Sequence, residues 1–309
     1  MIAEVINLSK KMNDREIIKD LSFSVETGHT FAILGPNGAG KTTTVRLLTG
    51  LLSPTNGTIK LFNEPLTQKN SASLRNRIGV QNDGNLYESL TLVENLNIWG
   101  KFYGISANDR KKRIKELLNV FELTDRSKSK LGTFSKGMKQ KAALARAMLH
   151  KPELLILDEP TSGLDPVTSE NLTDHLREMV KNDGASIIIC THQLQGLEEL
   201  ADDIGIIQDG CFKTLGPVQD VLKEEWPYFE FDIKATPIEK TISTSKTFGK
   251  AEQIHNNDQP YVRVRLNQAD DITLLIRQLI LADIKVYSVA EVQHTIKELY
   301  FNKIGELQS

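Results

Sequence analysis

Cysteine and long apolar runs are scarce in this sequence of 309 residues. The two cysteines, Cys190 and Cys211, cannot form a disulfide framework, and both lie in apolar, strand-like runs. We therefore expect buried thiols in a reducing compartment. No apolar run approaches the ~20 residues of a membrane-spanning helix, and the N-terminus lacks the layout of a secretory signal. These absences exclude a disulfide scaffold, and they predict that if the protein acts at a membrane, it does so through a partner.

Net charge is also small, at a formal value of -2, but it is unevenly distributed. Residues 101–151 contain 14 Lys and Arg against four Asp and Glu. Such a segment is typical of a nucleic-acid surface, a contact with anionic lipid or a solvated helical face. Its spacing is that of an amphipathic helix, without the interleaved aromatic residues of a single-strand binder. We expect no nucleic-acid partner, and a solvated face or a face toward a membrane subunit both stay open.

Strand and helix patterns alternate through residues 1–220, which predicts an α/β domain with a largely parallel sheet. Between about 82 and 150 the pattern is mostly helical, so we expect an inserted helical subdomain. Beyond residue 225, FEFDIK and YVRVRL alternate apolar and polar residues, and amphipathic helical patterns follow. Residues 225–309 are therefore predicted to form a small α+β domain, with 235–260 as a connection rich in turn residues.

A phosphate-binding loop is the first chemical motif. The stretch GPNGAGKTT fits G-x-x-x-x-G-K-[ST] and lies between a predicted strand and a predicted helix. Its glycines let the backbone approach a polyphosphate, its lysine adds positive charge, and its first threonine can offer a hydroxyl to Mg²⁺. The predicted ATP-binding residues are Gly35, Pro36, Asn37, Gly38, Ala39, Gly40, Lys41, Thr42 and Thr43, of which Thr42 is also a predicted metal ligand.

Two adjacent carboxylates follow a second apolar strand pattern in the stretch LLILDEP. Asp158 is placed to hold Mg²⁺, directly or through water. Glu159 is placed to orient and deprotonate a water molecule that attacks the terminal phosphate. Together with Lys41, which would stabilise the developing charge, these residues predict nucleotide hydrolysis.

Five motifs occur in order: GPNGAGKTT, FSKGMKQK, LLILDEP, SGLD and CTH. In this order the sequence resembles the ATP-binding subunits of ABC transporters over residues 1 to about 220. The resemblance implies the P-loop ATPase core of that family, with its inserted helical subdomain. It also implies that two subunits pack head to tail, so that the signature turn of one completes the ATP site on the phosphate loop of the other.

The resemblance implies roles for the signature turn, Ser135–Gly137, and for the helix that follows it. Ser135 and Gly137 would bind the γ-phosphate of ATP held by the partner chain. Lys136 stands where the family usually has a second glycine. Gln140 matches the glutamine of the family's signature helix and is a predicted ATP-site residue.

Further positions carry over from the same family. His192 matches the switch histidine that contacts the γ-phosphate. Asp165 ends the loop 162–165 that contacts the partner subunit. Met12 stands where family members usually place an aromatic residue that stacks on adenine.

The glutamine that senses the γ-phosphate and the metal is assigned to Gln81. The sequence around it departs from the family pattern, because the stretch before the glutamine is shortened. Asn82 and Asp83 therefore stay open as alternatives for that place.

These motifs predict the ATPase subunit of an exporter, with ATP and Mg²⁺ as cofactors. The resemblance implies a separate integral membrane permease, a location on the inner face of the membrane through that permease, and a second ATP-binding subunit, identical or different. The C-terminal stretch is similar to tails of drug, antibiotic and polysaccharide exporters. A soluble ABC-type ATPase acting on ribosomes or DNA is the alternative, and a nucleotide-binding module without turnover is a third; the single cassette and the intact Glu159 and His192 disfavour them.

Overall fold

A computed structural model describes residues 1–81, 86–194, 196–255 and 260–305, and the chain divides into two compact units. Unit 1 contains Met1–Val218 together with the chain from Tyr300 onward, and unit 2 contains Gln219–Leu299. Within the described ranges, no helix combines the length and the apolar character needed to cross a membrane. Each unit has its own sheet and its own core, and each is described separately.

Unit 1 is an α/β structure, as the sequence predicts. Its strands are β1 (Ala3–Met12), β2 (Arg15–Val25), β3 (Thr30–Leu34), β4 (Asn56–Leu61), β5 (Glu64–Pro65), β6 (Ile78–Gln81), β7 (Leu154–Asp158), β8 (Ser186–Thr191), β9 (Asp203–Gln208) and β10 (Cys211–Pro217). Its helices are α1 (Lys41–Leu48), α2 (Ser71–Arg75), α3 (Leu92–Phe102), α4 (Ala107–Val120), α5 (Lys136–Ala147) and α6 (Pro166–Asp183). Two short 3₁₀ turns lie at Thr124–Arg126 and Leu131–Thr133.

The central sheet of unit 1 has the strand order β10-β9-β3-β8-β7-β6. The pairs among β9, β3, β8, β7 and β6 are parallel, and β10 returns antiparallel to β9. Strand β3 is buried along its whole length, which explains why it is a continuous apolar run rather than an alternating one. The predicted parallel α/β fold is therefore confirmed.

Two hydrophobic cores cover the two faces of this sheet. Leu154 and Ile156 of β7 pack into one core with the antiparallel sheet β2-β1-β4-β5 and with α1. The intervening Leu155 and Leu157 pack into the other core with α3, α4, α5 and α6. Successive side chains of a strand point to opposite faces, so this one apolar run anchors both layers.

Each of the α-helices α3, α4 and α5, between β6 and β7, begins at a residue whose side chain caps it. Thr91 and Glu94 form a reciprocal capping box at the start of α3. Ser106 accepts a hydrogen bond from the backbone N–H of Asp109 at the start of α4. These caps satisfy N–H groups that a helix leaves without intrahelical partners, and they define where each helix begins.

Unit 2 has the chain order β-α-β-β-α-β of a ferredoxin-like fold. Its region of the chain contains α7 (Val218–Glu225), β11 (Phe229–Thr236), α8 (Ile238–Ser245), β12 (Lys250–Ile254), β13 (Tyr261–Leu266), α9 (Asp271–Leu281), β14 (Lys285–Glu291) and α10 (Ile296–Gly305). The strands form one antiparallel sheet in the order β12-β13-β11-β14. Inward side chains of β11 and β13 pack with α8 and α9 in a core of their own.

The sequence analysis missed two secondary-structure elements of unit 2 and wrongly expected both cysteines to be buried. The segment 235–260, predicted as a connection, contains α8 and β12. Its serines and threonines weaken the helical pattern, but Ile238 and Ile242, four residues apart, place apolar side chains on the face that meets the core. Cys190 is buried as expected, whereas Cys211 is only half-buried because it begins β10 directly after a turn.

Packing of α9 gives a testable prediction for unit 2. Leu279 is fully buried, whereas Leu281 on the same helix is 71% exposed. Leu279→Ala is expected to lower the free energy of unfolding by about 2–5 kcal/mol, because it removes buried methyl groups and leaves a cavity. Leu281→Ala, the matched control, should change it by no more than about 0.5 kcal/mol. Urea unfolding followed by Trp226 fluorescence in a Trp99→Phe background measures both; equal effects would contradict the described core.

Candidate active site

Four neighbouring strands deliver the predicted site residues to one edge of the central sheet. Strands β3, β8, β7 and β6 are adjacent and parallel, so their carboxyl ends lie together. The phosphate loop follows β3, His192 follows β8, Asp158 and Glu159 come at the end of β7, and Gln81 ends β6. Crevices outside the carboxyl ends of parallel strands are where such sheets bind ligands.

The phosphate loop has a backbone that demands glycine. Gly38 and Gly40 have φ angles of 84° and 113°, in the region that side chains disfavour. A Cβ at Gly40 would lie 2.6 Å from Ile18 Cδ1, whereas none of the described atoms lies within 4 Å of one at Gly38. Helix α1 then starts without a side-chain cap, so the partial positive charge at its N-terminus faces the loop. This arrangement is a candidate anion-binding site built from main-chain groups.

Lys41 lies at the centre of the site, with its side chain only 6% exposed. Its ammonium donates to the carbonyl oxygens of Gly35 at 2.7 Å and Pro36 at 3.2 Å. It also lies 3.2 Å from Glu159 Oε1. The Lys41 ammonium, paired here with the Glu159 carboxylate, is a candidate group for binding phosphate oxygens.

Glu159 is held by its backbone and by its carboxylate. Its φ angle of 52° is uncommon for a residue with a side chain. Its N–H donates to the carbonyl oxygen of Cys190 at 2.8 Å. Glu159 Oε2 accepts from the Thr191 hydroxyl at 2.9 Å and lies 2.9 Å from His192 Nδ1. These contacts aim the carboxylate across the end of β8 toward Lys41.

The electrostatic surroundings keep Glu159 ionised. Burial alone would raise the pKa of this carboxyl, but the hydrogen bond from His192, the charge of Lys41 and the Thr191 hydroxyl together lower it below its ordinary value. The group is therefore a carboxylate at neutral pH, which is the form that a base needs.

Side chains with oxygen atoms that are candidates to hold Mg²⁺ lie at the same edge of the sheet. Gln81 is fully buried, and its side-chain oxygen accepts from the N–H of Asp158 at 3.1 Å. Its buried Nε2 has no hydrogen-bond partner among the described residues, which leaves a polar group unsatisfied at the end of β6. A hydroxyl from Thr42 and a carboxylate from Asp158 are the hard oxygen donors that Mg²⁺ uses with phosphates, so the residues fit this ion. The alternatives Asn82 and Asp83 lie outside the described residues.

The signature turn caps α5 and leaves its N-terminus toward solvent. The Ser135 hydroxyl accepts from the N–H of Met138 at 3.3 Å. Ser135 and Lys136 are exposed, and the first turn contains no acidic residue. In the described part of the chain, no hydrogen bond joins this turn to the phosphate loop of the same chain. Lys139 in this first turn pairs with Glu88, and the exposed N-terminus of α5 is a candidate anion site.

Three other predicted site residues have different surroundings. Gln140 is buried, and its side chain donates to the carbonyl oxygens of Glu159 and Pro160, each at 3.0 Å. Asp165 caps α6 through the N–H and hydroxyl of Thr168, hydrogen bonds that lower the pKa of its carboxyl. Met12 ends β1 with its side chain 40% exposed.

Two residues near Glu159 were not singled out from the sequence. Thr191 stands directly before the histidine in CTH and binds the carboxylate through its hydroxyl; its place at the end of a buried strand was the available signal. Tyr300, near the C-terminus, has a pKa raised by burial and by the negative charge of Glu159. No motif connects a residue so distant in sequence with this site.

Glu159 gives a pH prediction with a defined sign. The hydrogen bond from His192 is the largest of the effects that lower the pKa of Glu159. His192→Ala removes it, so the effect of burial, which raises the pKa, is less compensated and the pKa rises. The acid limb of kcat/KM, which reports the free enzyme, is expected to move to higher pH. His29→Ala is the matched control, because His29 and His192 have side chains 45% and 44% exposed. A limb that stays in place in His192→Ala would contradict the described contact.

A parallel sheet with a phosphate loop after one strand, an acidic pair after another and a helix N-terminus left open defines the class of P-loop nucleotide-hydrolysing proteins. Comparison with known proteins narrows that class. The family described as ABC transporter matches residues 18–162. Over 310 residues, covering 99% of this chain and 96% of the relative, the sequence is 31% identical to an uncharacterised ABC transporter ATP-binding protein, YhcH, of Bacillus subtilis. The chain belongs to the ABC transporter ATP-binding proteins and is an ATPase.

One further relative and one solved structure support this assignment. The chain is 40% identical to Nod factor export ATP-binding protein I of Burkholderia lata, over 66% of this chain and 67% of the relative. It matches the dimeric structure of the ATP-binding cassette MJ0796 in a post-hydrolysis state bound to ADP and Pi, with a TM-score of 0.66 and 26% identity, over 70% of this chain and 99% of that one. The predicted family and ATPase activity are confirmed.

Proposed function

We propose that this chain is the ATPase subunit of an exporter, which dimerises head to tail on ATP and drives a separate membrane permease. One observation carries the proposal. Lys41, Glu159 and His192 meet at one edge of the sheet, while the exposed end of α5 at Ser135 binds no phosphate loop of its own chain. The site is complete only when a second chain supplies its signature turn. The dimeric relative bound to ADP and Pi supports this arrangement.

Each residue of the site has a role in this mechanism. The N–H groups of the loop 35–43 and the ammonium of Lys41 bind the phosphates, and binding draws Lys41 from Glu159 toward phosphate oxygens. Glu159, released from that ion pair but still held by Thr191 and His192, accepts a proton from the attacking water. His192 and the partner's signature turn stabilise charge on the γ-phosphate. Loss of that phosphate removes the link between the chains, and the dimer opens.

Mg²⁺ supplies charge neutralisation at the β- and γ-phosphates when it is bound. Thr42 and Asp158 would hold it, directly or through water, and Gln81 would contribute its side-chain oxygen. Met12 would cover one face of the adenine.

The permease is proposed to dock on the helical segment of unit 1. A surface cavity of about 320 Å³ lies there between α4 and the end of α5, lined by Ile105, Leu149, His150 and several charged side chains. Its charged lining residues are Lys112, Arg113 and Lys151 against Asp109 and Glu116. The small basic excess and the exposed Lys112 and Lys151 favour a partner segment with acidic residues. Such docking would place the chain on the inner face of the cell membrane.

Export is favoured over the alternatives by the relatives. Those that match include proteins named for Nod factor export and linearmycin resistance, which suggests outward transport of a compound of that kind. A soluble ABC-type ATPase on ribosomes or DNA remains the second candidate, because the basic segment 101–151 has the charge that nucleic acid requires.

Co-purification from membranes distinguishes the two functions. The tagged chain is expected to bring down a multi-span membrane protein, and Lys112→Glu with Lys151→Glu should weaken that association several-fold. Lys115→Glu, on the same helix but outside the cavity, is the matched control. Sedimentation of the chain with ribosomes, without any membrane protein, would overturn the proposal.

A further inference from the structure

Gln140 makes an unusual contact for a residue of the signature helix α5. Its carboxamide reaches 19 and 20 residues along the chain to the carbonyl oxygens of Glu159 and Pro160, each 3.0 Å from Nε2. The residue is 9% exposed, so these bonds are shielded from water. A carboxamide NH₂ has two donors, and here each carbonyl takes one.

The main chain that Gln140 holds is the segment that carries the proposed base. Glu159 has a left-handed backbone with φ at 52°. Its carbonyl oxygen also accepts from the N–H of Ser162 at 3.1 Å. A residue keeps such a strained backbone conformation only where surrounding contacts hold it. The backbone in turn sets the direction of the Glu159 carboxylate. A small rotation here would move the carboxylate away from His192 and Thr191.

The first turn of α5 touches the loop 162–165 next to this segment. A Cβ at Gly137 would lie 2.7 Å from the carbonyl oxygen of Gly163, so only glycine allows this approach. The side-chain carbons of Lys136 lie 3.5–3.7 Å from the position of a Cβ at Gly163. Gln140 is one helical turn further on, five residues or about 7.5 Å from Ser135. Helix α5 therefore presents its exposed N-terminus as a candidate anion site, and one turn later it contacts the backbone of Glu159.

We propose that Gln140 is a positioning residue for Glu159 of its own chain, rather than a ligand of the partner's ATP. This inference rests on the head-to-tail dimer of the proposed function. In that dimer, α5 meets the nucleotide of the partner while Glu159 acts on the nucleotide of its own chain. Gln140 thus connects the occupancy of one ATP site with the geometry of the base at the other, and the two sites share a coupling free energy.

Steady-state kinetics of the chain, without mixing of variants, provide the first test. Gln140→Met keeps the length and apolar body of the side chain and removes both donors. It is expected to lower kcat about tenfold with KM changed less than about twofold, because misplacement of the base affects the chemical step and not ATP binding. Asn95→Leu is the matched control, since Asn95 is also buried and its Nδ2 donates to two carbonyl oxygens, those of Tyr87 and Thr91, each at 3.0 Å. That control should lower Tm without the loss of kcat.

Mixed dimers provide the second test. A dimer of one Ser135→Arg chain and one Glu159→Gln chain keeps one intact site, with Glu159 from the first chain and Ser135 from the second. Gln140→Met is expected to lower turnover about tenfold when it is placed in the Ser135→Arg chain, and to have little effect in the Glu159→Gln chain. The opposite pattern would make Gln140 part of the partner's ATP site, and equal or absent effects would also overturn the proposal. A mixed dimer without any turnover would instead contradict the composite site itself.

Discussion

Glu159→Gln is expected to reduce ATP turnover by at least about two orders of magnitude, while ATP still binds. The amide keeps the shape of the side chain and its contacts to Thr191, but it cannot accept a proton from water. Its loss of charge also removes the ion pair with Lys41, whose ammonium then faces the phosphates alone. ATP affinity should therefore stay equal or rise, and the dimer should persist because the γ-phosphate is not removed.

Two measurements check this expectation. Phosphate release gives turnover, and sedimentation velocity with ATP gives the fraction of dimer. Glu153→Gln is the matched control, because Glu153 lies just before β7 and pairs with Arg77 away from the site. If Glu159→Gln kept turnover within a few-fold of that of the unsubstituted protein, Glu159 would not be the base.

Ser135→Arg is expected to abolish turnover to a similar degree, without loss of ATP binding to the monomer. The substitution places a long, charged side chain at the end of α5, where the partner's γ-phosphate must approach the helix N–H groups. The phosphate loop of the same chain makes no hydrogen bond with this turn in the described residues, so its own affinity for ATP should not change.

Ser106→Arg separates loss of a helix cap from loss of this contact. Ser106 caps α4 as Ser135 caps α5, each accepting from a backbone N–H at 3.3 Å. Both substitutions should lower stability by about 1 kcal/mol, and only Ser135→Arg should lose turnover. A thermal melt and a fluorescent nucleotide titration accompany the turnover assay. Equal turnover losses in the two variants would show that capping, and not phosphate contact, explains the effect.

Local motifs made the core of unit 1 predictable. The loop 35–43 and the pair Asp158–Glu159 are each contiguous in sequence, and each follows an apolar strand, so their chemistry could be inferred from the sequence. His192 and Gln81 were assigned through the resemblance to the ABC family, and the structure places them at the same edge because parallel strands bring their carboxyl ends together.

Contacts between distant segments were not predictable. The bonds from Gln140 to Glu159 and Pro160 depend on how α5 packs against the end of β7. The proximity of Tyr300 to Glu159 depends on where the end of the chain returns to unit 1. Neither contact leaves a local sequence pattern. The bonds from Gln140 end on carbonyl oxygens, which every residue has, and Tyr300 is far from Glu159 in the sequence.

The C-terminal unit was predicted only in outline, for a similar reason. Alternation identified β11 and β13, whose inward residues are Phe231, Ile233, Ala235, Val262, Val264 and Leu266. Strand β12 contains Lys250, Glu252 and Gln253 and lies at the edge of the sheet, where one row of backbone groups is unpaired and the apolar pattern is weak. Its pairing with β13 is a tertiary contact that the residues do not encode locally.

Mixing two inactive variants tests most directly whether each ATP is held between two chains. Ser135→Arg and Glu159→Gln are each expected to be inactive alone. In an equal mixture that exchanges subunits at random, half of the dimers pair the two variants and regain one working site, so turnover should recover to about a quarter of the unchanged protein. No recovery, with subunit exchange confirmed by energy transfer between labelled chains, would mean that the base and the signature turn do not act across an interface.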